Sequence, residues 1–200
     1  NMNIKADISG HSLNDIVGNI TFTDMTFAFS DEIIVPGDIT ITSHDHGKDH
    51  NLSLNSNFCQ MSLTGQFNYH SILASMKNIV AKHIQSLPGT TLTYEKKHSN
   101  NFTMCAKISD TRLLRKLTGA NFIVDQPLTI KAMLDDRAEL VDMKVNSPAC
   151  AYNGTTYKDL AITARTTNDT LHTDIRLKKL MANNKITSYM LDANAANNTL

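Results

Sequence analysis

Asn101-Phe-Thr-Met-Cys-Ala-Lys-Ile-Ser-Asp110 is the stretch on which the reading of this chain turns. Successive side chains of an extended backbone point to opposite sides. Phe102, Met104, Ala106 and Ile108 therefore share one face, and Thr103, Cys105, Lys107 and Ser109 the other. The same two-faced pattern recurs with Met2, Ile4, Ala6 and Ile8, with Leu128, Ile130, Ala132 and Leu134, and with Leu171, Ile175 and Leu177 opposite His172, Asp174, Arg176 and Lys178. Strands of this kind must cover an apolar face with a second sheet, their own curl, a helix or a hydrophobic ligand.

Working outward, strands are expected near 2–9, 18–29, 38–43, 51–55, 58–67, 101–109, 127–134, 137–145, 157–166, 170–178 and 185–192. Pro36-Gly37, Asp135-Asp136, Asn153-Gly154 and Asn168-Asp169 supply turn chemistry between them. Short turns impose antiparallel neighbours, so the second half reads as a meander. Between 69 and 87 the period changes: Ile72, Leu73, Met76, Ile79, Val80, His83, Ile84 and Leu87 recur at three and four, the stripe of an amphipathic helix that Pro88-Gly89 stops. The expected fold is mainly β with one long helix, its antiparallel meander sheets forming a curled open trough, with a closed β-sandwich as the alternative. Residues 1–90 form a sheet unit with the helix 69–87 as its lid, and 91–200 a meander unit continuous with the first.

An internal echo accompanies this pattern. Ala6-Asp7-Ile8-Ser9 leads through Leu13, Ile16 and Val17 to Gly18-Asn19, and Ala106-Lys107-Ile108-Ser109 leads through Leu113, Leu114 and Leu117 to Gly119-Ala120-Asn121. Ser12 and Asp110 stand where helix N-caps belong and the glycines where C-caps belong, which suggests a repeated strand, helical turn and strand.

Bulk properties narrow the function. Lys plus Arg and Asp plus Glu balance at 19 each, so no net field recruits nucleic acid. Aromatics make up 6% and Trp is absent, which argues against base-stacking or sugar-binding platforms as the main activity. Cys59, Cys105 and Cys150 form no CxxC and, being odd in number, cannot all pair within the chain; they read as small buried apolar side chains. No GxSxG, glycine-rich phosphate loop or GxGxxG is present, and no assembled constellation points to catalysis or to a cofactor. The one dense polar cluster, Ser43-His-Asp-His-Gly-Lys-Asp-His50, reads as a solvated hairpin turn in which His44, His46 and His50 hold metal adventitiously at most. The beginning in a strand and the Asn/Ala-rich end suggest a piece of a longer protein.

Three segments carry a resemblance: Ile4-Lys-Ala-Asp-Ile-Ser-Gly-His-Ser-Leu-Asn-Asp-Ile-Val-Gly-Asn-Ile20, Pro36-Gly-Asp-Ile-Thr-Ile-Thr-Ser43, and Phe58-Cys-Gln-Met-Ser-Leu-Thr-Gly-Gln-Phe-Asn-Tyr69 running into the helix. With Asn101–Asp110 and Leu113-Leu114, and over about residues 4–195, they resemble the TamB-like translocation and assembly module proteins of Bacteroides-type bacteria, within the AsmA-like group. The resemblance implies a periplasmic segment of an inner-membrane-anchored envelope protein. It implies an elongated β-trough that carries phospholipid toward the outer membrane or assists outer-membrane protein assembly, with phospholipid or acyl chains and an outer-membrane assembly barrel as partners. On that reading the trough lining is Phe102, Met104, Ile108, Leu128, Ile130, Leu140, Leu160, Ile162, Leu171 and Ile175. The rival class is an extracellular β-sandwich that recognises ligand through loops such as 43–50.

Overall fold

The computed structural model describes residues 1–72, 74–75, 78, 86–87, 90–91, 99–181 and 185–196. The fold is mainly β and is dominated by one antiparallel sheet that does not close into a barrel. Along the chain the strands are β1 (Asn3–Ser9), β2 (Val17–Thr23), β3 (Phe27–Ala28), β4 (Ile33–Ile34), β5 (Ile39–His46), β6 (Asp49–Asn55), β7 (Cys59–Gln66), β8 (Ser86–Leu87) and β9 (Thr90–Thr91). The second half adds β10 (Asn101–Ile108), β11 (Phe122–Val124), β12 (Leu128–Asp135), β13 (Leu140–Tyr152), β14 (Thr155–Thr167), β15 (Thr170–Leu180) and β16 (Ile186–Ala195). The large sheet runs β1-β2-β5-β6-β7-β10-β12-β13-β14-β15-β16, with β11 on β13; β3-β4 and β8-β9 are separate two-stranded ladders. No second large sheet faces it among the described residues.

Turn chemistry sets the meander. Asn153 and Gly154 join β13 to β14 at φ 47° and 74°, and Asn168 and Asp169 join β14 to β15 at φ 50° and 57°. Two consecutive left-handed residues are what a tight turn matching strand twist requires, and Asn, Asp and Gly adopt that conformation most readily. β13 and β14 run 13 residues each, well past the predicted 137–145 and 157–166. The first half of β13 pairs with β12 and its last three residues with β11. Pro148, which has no N–H to donate, falls between these two partners. The expected strand 18–29 is two: β2 ends at Thr23, and Asp24 at φ 53° turns the chain toward β3.

The predicted helix 69–87 lies largely outside the described residues, Ile79 and Val80 included. Residues 72, 74, 75 and 78 are helical, and Ile72 packs on the buried cluster Leu63, Phe67, Phe102 and Leu134. The helix does not reach Leu87, because Ser86 and Leu87 pair with Thr91 and Thr90. Phe67 makes edge-to-face contacts with Tyr69 and Phe102, at centroid separations of 5.3 and 6.2 Å.

The echo between the two strand starts is not a structural repeat. After β1 comes a single 3-10 turn, Leu13–Asp15, that returns to pair β2 with β1; after β10 comes an α-helix, Arg112–Thr118, that leads to β11 on the far side of β12. Gly119 is the C-cap expected, at φ 73° with its N–H on the Arg115 carbonyl. Gly18 is not a cap: it sits in β2, where a Cβ would lie 2.0 Å from the Asp7 carbonyl oxygen. Thr111, not Asp110, is the N-cap of the second helix, although the Asp110 carboxylate accepts the Arg112 backbone N–H at 2.8 Å and so serves one orphan donor.

Candidate functional site

Register turns the separate apolar faces into one surface. Ala6 lies opposite Ile20, Ile20 opposite Ile41, Ile41 opposite Leu54, Leu54 opposite Met61, and Met61 opposite Ala106. The line continues through Ile130, Val145, Ile162 and Ile175 to Leu191. Directly opposed residues in antiparallel strands share a face. A single apolar row therefore crosses all eleven strands of the sheet path. One residue away, the opposite face carries Asp7, Asn19, Thr42, Ser53, Ser62, Cys105, Lys131, Lys144, Thr163, Asp174 and Asp192 in register, polar apart from Cys105.

No member of the apolar row is buried; Ile20 through Ile175 are half-buried, and Ala6 and Leu191 at the sheet edges are exposed. Covered bands flank it on the same face. On one side Phe102, Leu134, Leu171 and Ala195 are buried, and on the other Leu128 and Ser147. The Leu113, Val124 and Cys150 side chains are buried as well, on the elements that follow the Ile108 end of β10. The outcome is an apolar strip, running across the strands, that the protein leaves partly open between two packed margins.

This arrangement sorts the ten residues proposed as lining. Met104, Ile108, Ile130, Leu160, Ile162 and Ile175 lie on the apolar face and are half-buried. Phe102, Leu128 and Leu171 share that face but are closed over by protein, at 3%, 7% and 5% exposure, because they belong to the packed margins. Leu140 is a correction: it pairs with Asp135, so its parity puts it on the polar face, where it is 39% exposed. Sequence reading missed the row members Ile20, Ile41, Leu54, Met61, Val145 and Leu191. Their alternation is visible in the sequence, but only register shows that they continue the same line. Along the row, Leu54, Met61, Ala106 and Ile130 border a cavity of about 450 Å³. Ala106, short between Met61 and Ile130, leaves space that a longer side chain would take.

A buried polar knot holds the Phe102 margin in place. Asp136, just past the end of β12, accepts hydrogen bonds from the Ser75 hydroxyl at 2.6 Å and from the Asn100 backbone N–H at 3.0 Å. The Asn100 amide donates to Ser71 at 2.9 Å and Ser75 at 2.6 Å, and its carbonyl accepts from the Asn68 N–H at 2.8 Å. The helical segment, the start of β10 and the β12–β13 connection are thereby tied through four buried side chains. The expectation that Asp135-Asp136 is only a turn holds for Asp135, whose carboxylate accepts the Arg137 and Ala138 N–H groups. It fails for Asp136.

The histidine cluster is more ordered than the turn expected at 43–50. β5 runs to His46 and β6 begins at Asp49, so only Gly47 and Lys48 form the turn, with Gly47 at φ 69°. His44 and His46 are exposed, and His50 turns its Nδ1 onto Asp45. No group of three or more His, Cys, Asp or Glu side chains placed to hold a metal occurs among the described residues. Cys150 is buried and Cys59 half-buried; burial pushes both thiols above their usual range, with Asp125 adding to the effect at Cys150. Cys105 is exposed on the polar face, which corrects its reading as a core residue. Compared with protein-family models, curated proteins and solved structures, this chain matches none.

Proposed function

We propose that this chain is a non-catalytic segment of a periplasmic envelope-biogenesis protein whose apolar sheet face carries phospholipid acyl chains between the inner and outer membranes or assists outer-membrane protein assembly. The observation that carries the reading is the row from Ala6 to Leu191, apolar in every strand and buried in none. Apolar area left against water costs about 25 cal/mol per Å², so a strip that crosses a whole sheet and stays partly open is expected to serve a ligand. Acyl chains suit it: they need apolar surface and little polar selectivity, and a strip open at both sheet edges lets them slide. The absence of a second large sheet among the described residues weighs against the β-sandwich alternative.

Mass spectrometry of organic extracts from the purified protein tests this reading. Phospholipid at near-stoichiometric levels is expected, together with saturable uptake of a fluorescent fatty acid that Ala106→Phe weakens by filling the cavity beside Met61. A protein that folds, carries no lipid and takes up no fatty acid would overturn it.

A further inference from the structure

A second cavity, of about 720 Å³, lies at the Phe67 end of the sheet and is polar in character. Lys48 reaches it from the β5–β6 turn, His50 from β6, His70 from the segment after β7, and Arg137 from the β12–β13 connection, while Asn100 and Phe67 form part of its wall. No carboxylate is among its described lining residues.

Four acidic residues close in sequence to these cations are engaged by other groups, three of them by residues of the cavity wall itself, His50, Gln66 and Asn100. Asp45 takes the His50 imidazole and Asp49 accepts from the Gln66 amide. Asp135 accepts from the Asn101 side chain and the Arg137 backbone, and Asp136 is enclosed in the buried knot. Lys48, His70 and the Arg137 guanidinium are left with no ion-pair partner among the described residues, whereas Arg112, Arg165 and Arg176 each have a carboxylate. Three donors of positive or titratable charge around one cavity, with the Asn68 amide and the Ser99 hydroxyl between them, form the chemistry that recognises a phosphoryl oxyanion.

We propose that this cavity binds a phosphate group, with Lys48 and Arg137 supplying fixed charge and His50, His70 and the Asn100 wall supplying shape. The site stands independently of the apolar row. Titration of the protein with inorganic phosphate, followed through the His50 and His70 imidazole resonances, is expected to give saturable shifts. In Lys48→Gln/Arg137→Gln, both exposed positions outside the core, the apparent Kd should rise at least tenfold; Lys131→Gln, on the polar face, should leave it unchanged. Lysophosphatidate binding more tightly than inorganic phosphate would assign the group to a lipid headgroup, and equal affinity would assign it to a soluble phosphate ester. Absence of saturable shifts, or shifts that survive intact in the double variant, would overturn the proposal whatever the outcome of the fatty-acid experiment.

Discussion

At the residue scale, Asn100 illustrates how one side chain can organise a margin of the sheet. It is 2% exposed and its amide serves three partners, so replacement by Ala leaves Ser71, Ser75 and the Asn68 N–H short of a partner in a place water does not reach. Each buried polar group left unsatisfied costs about 1–3 kcal/mol. Asn100→Ala is therefore expected to lower the urea midpoint clearly, without change in the slope that reports exposed surface. Gly65 makes the complementary point for backbone. At φ 136°, with a built Cβ only 2.3 Å from the Asn101 carbonyl oxygen, it permits the close approach of β7 to β10. Gly65→Ala should destabilise by more than about 2 kcal/mol in thermal or chemical unfolding, through left-handed strain and a lost strand contact. Neither role can be read in the sequence, where Asn100 sits in an unremarkable Ser-Asn-Asn run and Gly65 interrupts an alternating strand.

At the element scale, the short helical connections depend on carboxylates. Asp15 accepts the Ser12 hydroxyl and the His11 and Ser12 backbone N–H groups, and these bonds hold its carboxyl down to about 2. Lys116 beside Asp31, and Arg112 beside Asp110, lower those carboxyls from their usual value as well. A carboxyl depressed in the folded state adds stability above its unfolded value, here 3.8, and loses it as the pH falls toward the folded one. Stability should thus be steady above about pH 5 and decline between about pH 4 and 2, and Asp15→Asn should flatten part of that decline in a series of melts. The Ser12 cap was legible because Ser-x-x-Asp is a local pattern. The boundary at Thr111, one residue past the expected Asp110, was not, since side-chain and backbone acceptors compete there over a single residue of chain.

For the whole molecule, an open sheet has two edges, and β16 is poorly defended. Ile186–Ala195 contains no Lys, Arg or Pro, pairs with β15 through ten unbroken register positions, and exposes Ile186, Tyr189, Met190 and Leu191. The purified chain is expected to self-associate with rising concentration in sedimentation velocity, and Met190→Lys, 70% exposed on the polar face, to reduce that association without loss of stability. The period is written in the residues: two-residue alternation and Asn-Gly and Asn-Asp turns dictate antiparallel strands with one apolar face each, because both signals are local and need no partner. Which faces join and which stay open is settled only once the strands pair and pack. Register aligned Ala6 with residues as far along the chain as Leu191 and sent Leu140 to the polar side, and the packing of Ile72 on Leu63, Phe67 and Phe102 closed one margin while leaving Ile130, Ile162 and Ile175 half-covered. These are outcomes of long-range pairing and volume filling, which a pattern repeating every two residues does not encode.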